Sequence, residues 1–287
     1  MRDMHLLIAG LGYSGVAIAA EALAKGFAVT GTARDPARAK PPPGATVVAF
    51  DAAGPAIRAA THLVVTAGPE LAGDPVLAAH AEAIAAAPLL RWIGYISTTG
   101  VYGDRGGAWV DEATPPAPGQ PRSQRRLAAE EAWRHAAGGR ALDLFRTGGI
   151  YGPGRGPFDE IRAGTARRVV KPGHAFSRIH VADIAQAVVV AALRPDGVRV
   201  LHLVDDLPVD SASVTAEAAA LLGLPPPAEM PFTTAAASMS PMGLSFWSEN
   251  RKVSCAATRA ALGLTWRYPT YREGLRAILA AEQAPGT

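Results

Sequence analysis

The chain has 287 residues, of which 49% are hydrophobic and 18% are charged, and its formal net charge is +3. This composition excludes an intrinsically disordered protein, because there is ample apolar material for a core. The single cysteine, Cys255, excludes a disulfide-stabilised secreted domain. No apolar run approaches the ~18 residues of a membrane-spanning helix, and no signal peptide is recognisable. We therefore expect a cytoplasmic protein that does not bind a membrane. The arginines are scattered rather than clustered, so we do not expect binding to nucleic acid either.

Short apolar runs alternate with helical patterns in the first half of the chain. The apolar runs predict strands over 5–9, 27–32, 46–50, 62–66, 92–97 and 141–146. Helices are predicted over 13–25, from the Asp74-Pro75 start signal to Pro88, and over 121–137. Strands separated by helices predict an α/β protein with a doubly wound parallel sheet, the Rossmann fold.

The second half of the chain is less regular. Helices are predicted over 181–193, 211–222 and 270–281, and a strand over 200–204, whereas 224–247 has no clear period. We therefore expect residues 1–150 to form a dinucleotide-binding domain that is completed by 180–204. Residues 151–179 and 205–287 are expected to form a smaller substrate-binding lobe.

Three glycines follow the first predicted strand and open the first predicted helix. Gly10, Gly12 and Gly15 form G-x-G-x-x-G, the pattern of a dinucleotide-binding loop when it lies between a strand and a helix. The glycines permit a tight turn, a close approach of the backbone to a pyrophosphate, and packing of the helix on the strand. Tyr13 and Ser14 lie in the same loop and are candidates for hydroxyl contacts with the cofactor.

The tip of the second strand indicates which dinucleotide binds. An NAD site has an acidic residue here that holds the ribose 2′-hydroxyl, but this strand ends in Thr32, Ala33 and Arg34. A guanidinium can bind a 2′-phosphate through two hydrogen bonds. The sequence therefore favours NADP over NAD, with Thr32 and Arg34 as candidate contacts and Arg34 as a surface residue in the other interpretation.

Later strand ends offer further candidates for the cofactor site. Asp51 follows the third strand and either binds the adenine amino group or caps a turn. Ala67 and Gly68 follow the fourth strand, where small side chains let a dinucleotide pass closely.

Five motifs, in this order, cover nearly the whole chain: the glycine loop, the run from Ile96 to Asp104, and those over 149–154, 178–183 and 271–275. Together they resemble the extended short-chain dehydrogenase/reductase superfamily, in particular the NAD-dependent epimerase/dehydratase family. This resemblance implies that Thr98 polarises the reacting oxygen of the substrate. It also implies a Tyr-x-x-x-Lys pair on the helix over 121–137, as acid/base and its activator.

The chain departs from the family at this pair. The Tyr position falls on Arg122 and the Lys position on Arg126, and arginine does not exchange protons near neutral pH. Residues four apart share one helix face, so the two form either an anion or cofactor site or an exposed basic face. Tyr102 and Tyr151 lie in the matched motifs and either replace the missing acid or shape the pocket.

The remaining candidates are weaker. Arg178 either contacts a substrate phosphate or pairs with Asp183, and His180 is expected to be a structural hydrogen-bonding residue. The seven histidines show no spacing typical of a metal site.

Two hypotheses follow from this pattern. The first is an NADP-dependent oxidoreductase, epimerase or dehydratase that acts on a small polar, sugar-like substrate. The second is a non-catalytic NADP-binding sensor or partner-binding protein, which the missing Tyr and Lys favour. The retained Thr98 favours the enzyme, and a homodimer is left open.

Overall fold

The structure, a computed structural model, describes residues 4–283. Thirteen strands are formed in this range, and in chain order they are β1 His5–Ala9, β2 Ala28–Ala33, β3 Ala45–Ala49, β4 His62–Val65, β5 Trp92–Thr98, β6 Trp109–Val110, β7 Ala141–Thr147, β8 Gly149–Tyr151, β9 Arg168–Val170, β10 Arg178–His180, β11 Val198–Leu203, β12 Glu229–Pro231 and β13 Lys252–Val253. The α-helices of this range are α1 Tyr13–Ala24, α2 Gly54–Ala59, α3 Pro75–Ala85, α4 Pro121–Ala136, α5 Phe158–Arg162, α6 Val181–Leu193, α7 Ser211–Leu221, α8 Phe232–Ala236, α9 Pro241–Trp247, α10 Ala256–Leu262 and α11 Tyr271–Gln283.

Seven parallel strands form the central sheet in the order β11-β7-β5-β4-β1-β2-β3. The order reverses between β1 and β4, and ligands of such sheets bind in the crevice at the carboxyl ends of the strands around this point. The predicted doubly wound α/β sheet is confirmed.

Each face of the sheet is covered by helices. Leu6 and Ile8 of β1 belong to the apolar core under α1 and α6, whereas Leu7 and Ala9 belong to the core under α2, α3 and α4. Successive side chains of a strand point to opposite faces, so a strand buried on both sides is apolar throughout. This explains why the strands of the sheet appear as short continuous apolar runs in the sequence.

Helix α3 shows how local signals set an element. Asp74 precedes the helix, and its Oδ1 accepts hydrogen bonds from the backbone N–H groups of Val76 at 2.9 Å and Leu77 at 3.1 Å. Pro75 occupies the first helical position, where no backbone donor is needed. The helix therefore begins where the sequence predicts.

The expected division into lobes needs one correction. A separate apolar cluster does form between 151–161 and the helices α7 and α11. However, Val253, Cys255, Leu262 and Trp266 belong to the core of the main sheet, because α10 packs against β11 and α6. The segment 252–266 is thus not part of the smaller lobe. Residues 1–3 and 284–287 of the predicted domains lie outside the described residues.

Among residues 4–283, no helix combines the length and the apolar character that crossing a membrane requires.

Candidate active site

The glycine loop joins β1 to α1 at the carboxyl edge of the sheet. Gly10 has φ +111°, and a Cβ there would lie 2.6 Å from Thr66 Oγ1. A Cβ on Gly15 would collide with the carbonyl oxygen of Gly10. By contrast, no atom lies within 4 Å of the Cβ position of Gly12. The backbone N–H groups in the first turn of α1 have no intrahelical partners and favour an anion in this space. The loop therefore fits the pyrophosphate of a dinucleotide.

Thr32 holds this loop in place. Its side chain is buried, and its Oγ1 accepts a hydrogen bond from the backbone N–H of Gly10 at 3.0 Å. Its carbonyl oxygen accepts a second one from the N–H of Leu11 at 2.9 Å. The hydroxyl of Thr32 therefore positions Gly10, and its direct contact with the cofactor stays a prediction.

Two hydroxyls lie in the glycine loop as predicted, but they differ in their contacts. The Tyr13 hydroxyl donates to the carbonyl oxygen of Pro153 at 3.0 Å, and the guanidinium of Arg155 lies 5.6 Å from the centre of its ring. Burial raises the pKa of Tyr13. Ser14, in the first turn of α1, forms no side-chain hydrogen bond with any other described residue. Tyr13 therefore ties the loop to the turn at 152–155, and Ser14 stays a candidate for contacting the cofactor.

Arg34 follows directly after β2 and is exposed. Among residues 4–283 it takes part in no ion pair. The neighbouring Asp35 uses its Oδ1 to accept a hydrogen bond from the N–H of Ala37 at 3.1 Å, which caps the 3-10 helix Pro36–Arg38. At this strand tip one oxygen of the carboxylate is thus bound to the backbone, and the guanidinium is accessible to a ligand.

Three other predicted cofactor residues also lie at strand ends. Asp51 is exposed in the 3-10 helix that follows β3, and Ala67 and Gly68 follow β4. A Cβ on Gly68 would lie 3.1 Å from Nη2 of Arg126. The small size of Gly68 therefore lets Arg126 reach the end of β4.

A cavity of about 190 Å³ lies at the carboxyl ends of β5 and β7. Its walls come from the sheet, from the start of α4 and from the chain after α8, and its polar and charged side chains are those of Thr98, Thr99, Gln120, Arg122, Ser123, Arg126, Thr147, Ser177, Ser245, Glu249 and Arg251. The structure therefore brings together Thr98, Arg122 and Arg126, which the sequence singled out.

Arg126 is firmly held in this wall. Its Nη1 donates hydrogen bonds to the hydroxyl of Tyr95 at 3.2 Å and to the carbonyl oxygen of Ile96 at 2.9 Å. Its guanidinium also lies 5.7 Å from the centre of the Tyr95 ring. With Gly68 on its other side, Arg126 links the end of β4 to the cavity.

Arg122 is one turn earlier on the same helix and is less constrained. Its guanidinium lies 5.9 Å from the centre of the Phe246 ring. Partial burial and the charges of Arg126 and Arg125 lower the pKa of Arg122. An arginine remains charged in spite of such a shift, so the cavity keeps a cation at this position.

No family model matches the chain. Protein YeeZ of Escherichia coli (strain K12) is 32% identical over 133 residues, which is 46% of this chain and 47% of YeeZ. The 3-diazoavenalumate denitrifying reductase of a Streptomyces species is 32% identical over 145 residues, which is 46% of this chain and 45% of the reductase. The chain thus spans about half the length of the curated relatives it matches.

Solved structures match over nearly the whole chain. A functionally unknown conserved protein from Silicibacter pomeroyi DSS is 42% identical with a TM-score of 0.87, over 98% of this chain and 100% of that chain. The human epimerase family protein SDR39U1 (isoform 2), solved with NADPH, is 21% identical with a TM-score of 0.75, over the same shares of the two chains. The chain belongs to one family with the Silicibacter pomeroyi protein. Its fold is similar to that of the human epimerase family protein.

The chain carries arginines at both positions where its resemblance to the short-chain dehydrogenases/reductases implies Tyr and Lys. Arg122 and Arg126 line the cavity together with Thr98. Among the described residues that line it there is no tyrosine, lysine or histidine. In this ligand-free structure, Arg122 and Arg126 therefore occupy the wall where the resemblance implies the Tyr and Lys pair.

Tyr102 does not line the cavity. It is completely buried, and its hydroxyl oxygen lies 2.8 Å from Nη1 of Arg146 and 2.6 Å from Nε2 of His202. Burial raises the pKa of Tyr102. The catalytic role that we predicted for Tyr102 is wrong in position, because its hydroxyl is enclosed by protein and cannot reach a substrate.

Tyr151 and Arg178 also lie away from the cavity. The Tyr151 hydroxyl donates to the carbonyl oxygen of Thr270 at 3.4 Å, and burial raises the pKa of Tyr151. Arg178 Nη1 donates to the carbonyl oxygens of Phe176 at 3.0 Å and Val209 at 2.9 Å. Neither side chain lines the cavity, and both bind backbone carbonyl oxygens of the chain around them, so their contacts with a substrate stay predictions.

The alternative pairing of Arg178 with Asp183 is not formed either. Asp183 accepts hydrogen bonds from the backbone N–H groups of Arg267 at 2.6 Å and Tyr268 at 3.2 Å. His180 acts as the expected structural residue, since its Nδ1 accepts from the N–H of Ala182 at 3.1 Å and caps α6.

The sequence analysis missed several side chains of the cavity, among them those of Ser123, Glu249 and Arg251. A Cβ placed on Gly100 would lie 2.7 Å from Ser123 Oγ and 3.4 Å from Thr98 Oγ1, so these two hydroxyls are neighbours. Glu249 and Arg251 come from the chain after α9 and form an ion pair of 2.9 Å. Ser123 could have been predicted from the sequence, because it directly follows Arg122 at the Tyr position. No local sequence pattern indicates that Glu249 and Arg251 line the cavity. Within residues 4–283, no three His, Cys, Asp or Glu side chains are grouped as a metal site requires.

Proposed function

We propose that this protein is an NADP-dependent oxidoreductase that acts on a small polar substrate. The observation that carries the proposal is the position of Thr98, which lines a cavity at the same edge of the sheet as the glycine loop. A nicotinamide dinucleotide, when bound, exchanges a hydride with a substrate carbon. The fold of the human NADPH-binding protein and the partial match to a reductase support this reaction class.

Thr98 is suited to orient the reacting oxygen. Its Oγ1 accepts a hydrogen bond from the N–H of Gly100 at 3.1 Å. Its hydroxyl proton is then directed away from Gly100 and is available to a carbonyl oxygen in the cavity. Arg126, fixed by Tyr95 and Ile96, is positioned to hold the nicotinamide ribose or an anionic group.

The preference for NADP rests on the tip of β2. Arg34 is exposed there, whereas the carboxylate of Asp35 is engaged by the N–H of Ala37. A guanidinium favours a 2′-phosphate, and the carboxylate of Asp35 has only one oxygen left for a 2′-hydroxyl.

Replacement of Gly12 by valine tests the cofactor site. Gly12 has φ −85°, so the backbone tolerates a side chain, but valine would fill the open space that the pyrophosphate needs. We expect Gly12→Val to abolish NADPH binding, measured by nicotinamide fluorescence, and to leave the thermal unfolding temperature nearly unchanged. Gly12→Ala serves as the graded control, with an intermediate loss. Unchanged NADPH affinity in Gly12→Val would refute the proposed site.

A non-catalytic NADP-binding protein is the second candidate. It is favoured by Arg122 and Arg126, which line the cavity where the fold's proton-transfer pair is expected. Single-turnover oxidation of bound NADPH by a panel of small aldehydes, ketones and keto acids separates the two. Tight NADPH binding without oxidation by any member of the panel would favour the second candidate.

A further inference from the structure

A short turn of the smaller lobe lies against the glycine loop. The turn runs from Gly152 to Arg155, and two backbone hydrogen bonds close it: the N–H of Arg155 donates to the carbonyl oxygen of Gly152 at 2.9 Å, and the N–H of Gly152 donates to that of Arg155 at 3.2 Å. The Tyr13 hydroxyl donates to the carbonyl oxygen of Pro153 at 3.0 Å. Because Tyr13 is the first residue of α1, this hydrogen bond joins the turn to the helix end that favours a pyrophosphate.

The close contact between the turn and Tyr13 requires glycine. A Cβ on Gly152 would lie 2.5 Å from the Tyr13 hydroxyl and 2.7 Å from Cγ1 of Val181. Gly154 has φ +67°, in the left-handed region that favours glycine. A side chain at position 152 would therefore push the turn away from the glycine loop.

The chain that carries the turn also borders the cavity. Gly148 and Gly149, at the corner between β7 and β8, line the cavity together with Thr98. The turn begins directly after β8 and reaches Tyr13. Residues 148–155 thus connect the cavity to the glycine loop. In the proposed function, the nicotinamide half of the dinucleotide extends between the same two places.

Arg155 brings a positive charge to the glycine loop. The loop over 9–16 contains no lysine, arginine or histidine. Its own attraction for a pyrophosphate therefore comes from backbone N–H groups and from the helix end, which is equivalent to about half an elementary charge. The guanidinium of Arg155 lies 5.6 Å from the centre of the Tyr13 ring, and among residues 4–283 it takes part in no ion pair. A guanidinium binds phosphate oxygens through paired hydrogen bonds.

We propose that the turn at 152–155 forms part of the pyrophosphate site and that Arg155 binds the pyrophosphate of the dinucleotide. The hydrogen bond between Tyr13 and Pro153 holds the turn against the glycine loop and so keeps Arg155 near the phosphates. This inference rests on the proposed function for the dinucleotide itself. It gives Arg155 a contact that NADPH and NADH share, whereas the contact predicted for Arg34, the 2′-phosphate, is present in NADPH alone.

Calorimetric titrations of the full chain with NADPH, NADH and 2′-AMP test this assignment. Arg155→Gln should weaken NADPH and NADH by a similar factor, at least about tenfold, because both carry the pyrophosphate. It should leave 2′-AMP unchanged, because this nucleotide has a 2′-phosphate but no pyrophosphate. Arg167→Gln is the matched control: it removes another exposed arginine of the smaller lobe, whose Nη1 donates to Ser238 Oγ at 2.7 Å, and should change no affinity. Unchanged NADPH binding in Arg155→Gln, or an equal loss for 2′-AMP, would overturn the inference.

A second variant tests the role of the turn. Tyr13→Phe keeps the ring and removes the donor to Pro153, so NADPH binding should weaken about fivefold, as expected for one hydrogen bond. Since both changes act through the same turn, Arg155→Gln should have a smaller effect in Tyr13→Phe than in the parent. Losses that simply multiply would show that Tyr13 does not position Arg155.

The parent protein keeps the two possible failures apart. A parent that binds neither NADPH nor NADH rejects the proposed function and this inference with it. A parent that binds NADPH, with an affinity that Arg155→Gln does not change, rejects this inference alone.

Discussion

Arg34 and Asp35 are exposed neighbours at the tip of β2, and they differ in that one carboxylate oxygen of Asp35 is bound to the backbone. The Asp35 carboxylate caps the following 3-10 helix, and Arg34 is exposed. We expect Arg34→Ala to weaken NADPH binding by about 1.5–3 kcal/mol, the range for a charged hydrogen bond, and to leave NADH binding nearly unchanged. Fluorescence titrations with both nucleotides measure this. Lys40→Ala, which removes another exposed cation nearby, is the control for a general effect of charge. Equal losses for NADPH and NADH would show that Arg34 does not contact the 2′-phosphate.

Thr98 and Arg126 line the same cavity, but their surroundings predict that substitutions of the two residues have different effects. Thr98→Val removes the hydroxyl that faces the reacting oxygen and should lower the single-turnover rate roughly 10²–10³-fold, with little change in NADPH affinity. Thr98→Ser keeps the hydroxyl and should retain most of the rate. Arg126→Ala should instead weaken NADPH binding more than it slows the reaction, because Arg126 reaches the end of β4 beside Gly68. If Thr98→Val reacts at the rate of the parent, Thr98 has no part in the chemistry.

At the scale of the elements, α4 joins the cavity to a buried ionic network. Glu130 is completely buried, and both of its oxygens accept from Arg146, at 3.1 Å and 2.7 Å. Ser97 Oγ also donates to Glu130, at 2.5 Å. Arg146 continues to the hydroxyl of Tyr102, and that hydroxyl contacts His202. The network crosses from β5 through β7 to β11 and fixes α4 against the sheet.

Removing the charge of Glu130 should therefore be costly. Glu130→Gln leaves the buried guanidinium of Arg146 without its counter-charge, and we expect a loss of about 3–5 kcal/mol in the free energy of unfolding. Glu131→Gln on the same helix breaks only a surface ion pair with Arg134, of 3.5 Å, and should cost less than about 1 kcal/mol. Urea unfolding of both variants measures the difference. Similar stabilities would show that the network does not hold α4.

Elements with strong local signals were predictable from the sequence. The glycine loop and the Asp74-Pro75 start determine α1 and α3 through contacts within a few residues. Helices α9 and α10 were missed because they are short and depend on tertiary packing. The apolar residues of 253–266 indicate burial, but they do not indicate which core buries them, and this caused the error in the lobe boundary.

The candidate site was likewise predictable only where local elements determine it. Motif register placed Thr98, Arg122 and Arg126 correctly in one wall, because β5 and α4 are regular elements. It failed for Tyr102, because the sequence gives no direction for a side chain in the 3-10 helix that follows β5. Glu249 could not be found, since the turn at Asn250 is held by hydrogen bonds to residues far away in the chain.

At the scale of the whole molecule, buried ionisable groups set opposite limits on stability. Burial lowers the pKa of His180 to about 4, and burial together with the charge of Arg91 lowers the pKa of His62 to about 4. Both histidines are neutral in the folded chain, so their contribution to stability is lost as the pH falls from about 6.5 through 4. Burial raises the pKa of Asp183 to about 6 and that of Asp205 to about 8. These two buried carboxyl groups therefore lower the free energy of unfolding as the pH rises and they ionise.

Asp205 should dominate that alkaline limit. Its Oδ1 accepts from the N–H of Leu207 at 3.2 Å, but its buried Oδ2 has no hydrogen-bond partner in the described part of the chain. The folded state holds the proton more tightly than the unfolded state, whose aspartate pKa is about 3.9. The contribution of protonated Asp205 to stability is therefore complete below about pH 4 and is lost as the pH rises through about 8.

Replacement of Asp205 by asparagine tests this sign. The amide keeps an acceptor for Leu207 and cannot ionise, so Asp205→Asn should behave much like the parent at about pH 5 and should exceed its free energy of unfolding by about 2–4 kcal/mol at about pH 8. Urea unfolding across this range measures both profiles. Asp159→Asn, which removes an exposed carboxylate that pairs with Arg162 at 3.4 Å, should leave the pH profile parallel to that of the parent. Asp205→Asn and parent profiles that run parallel between these pH values would show that Asp205 is already ionised in the folded chain, held by the charge of the nearby Arg178.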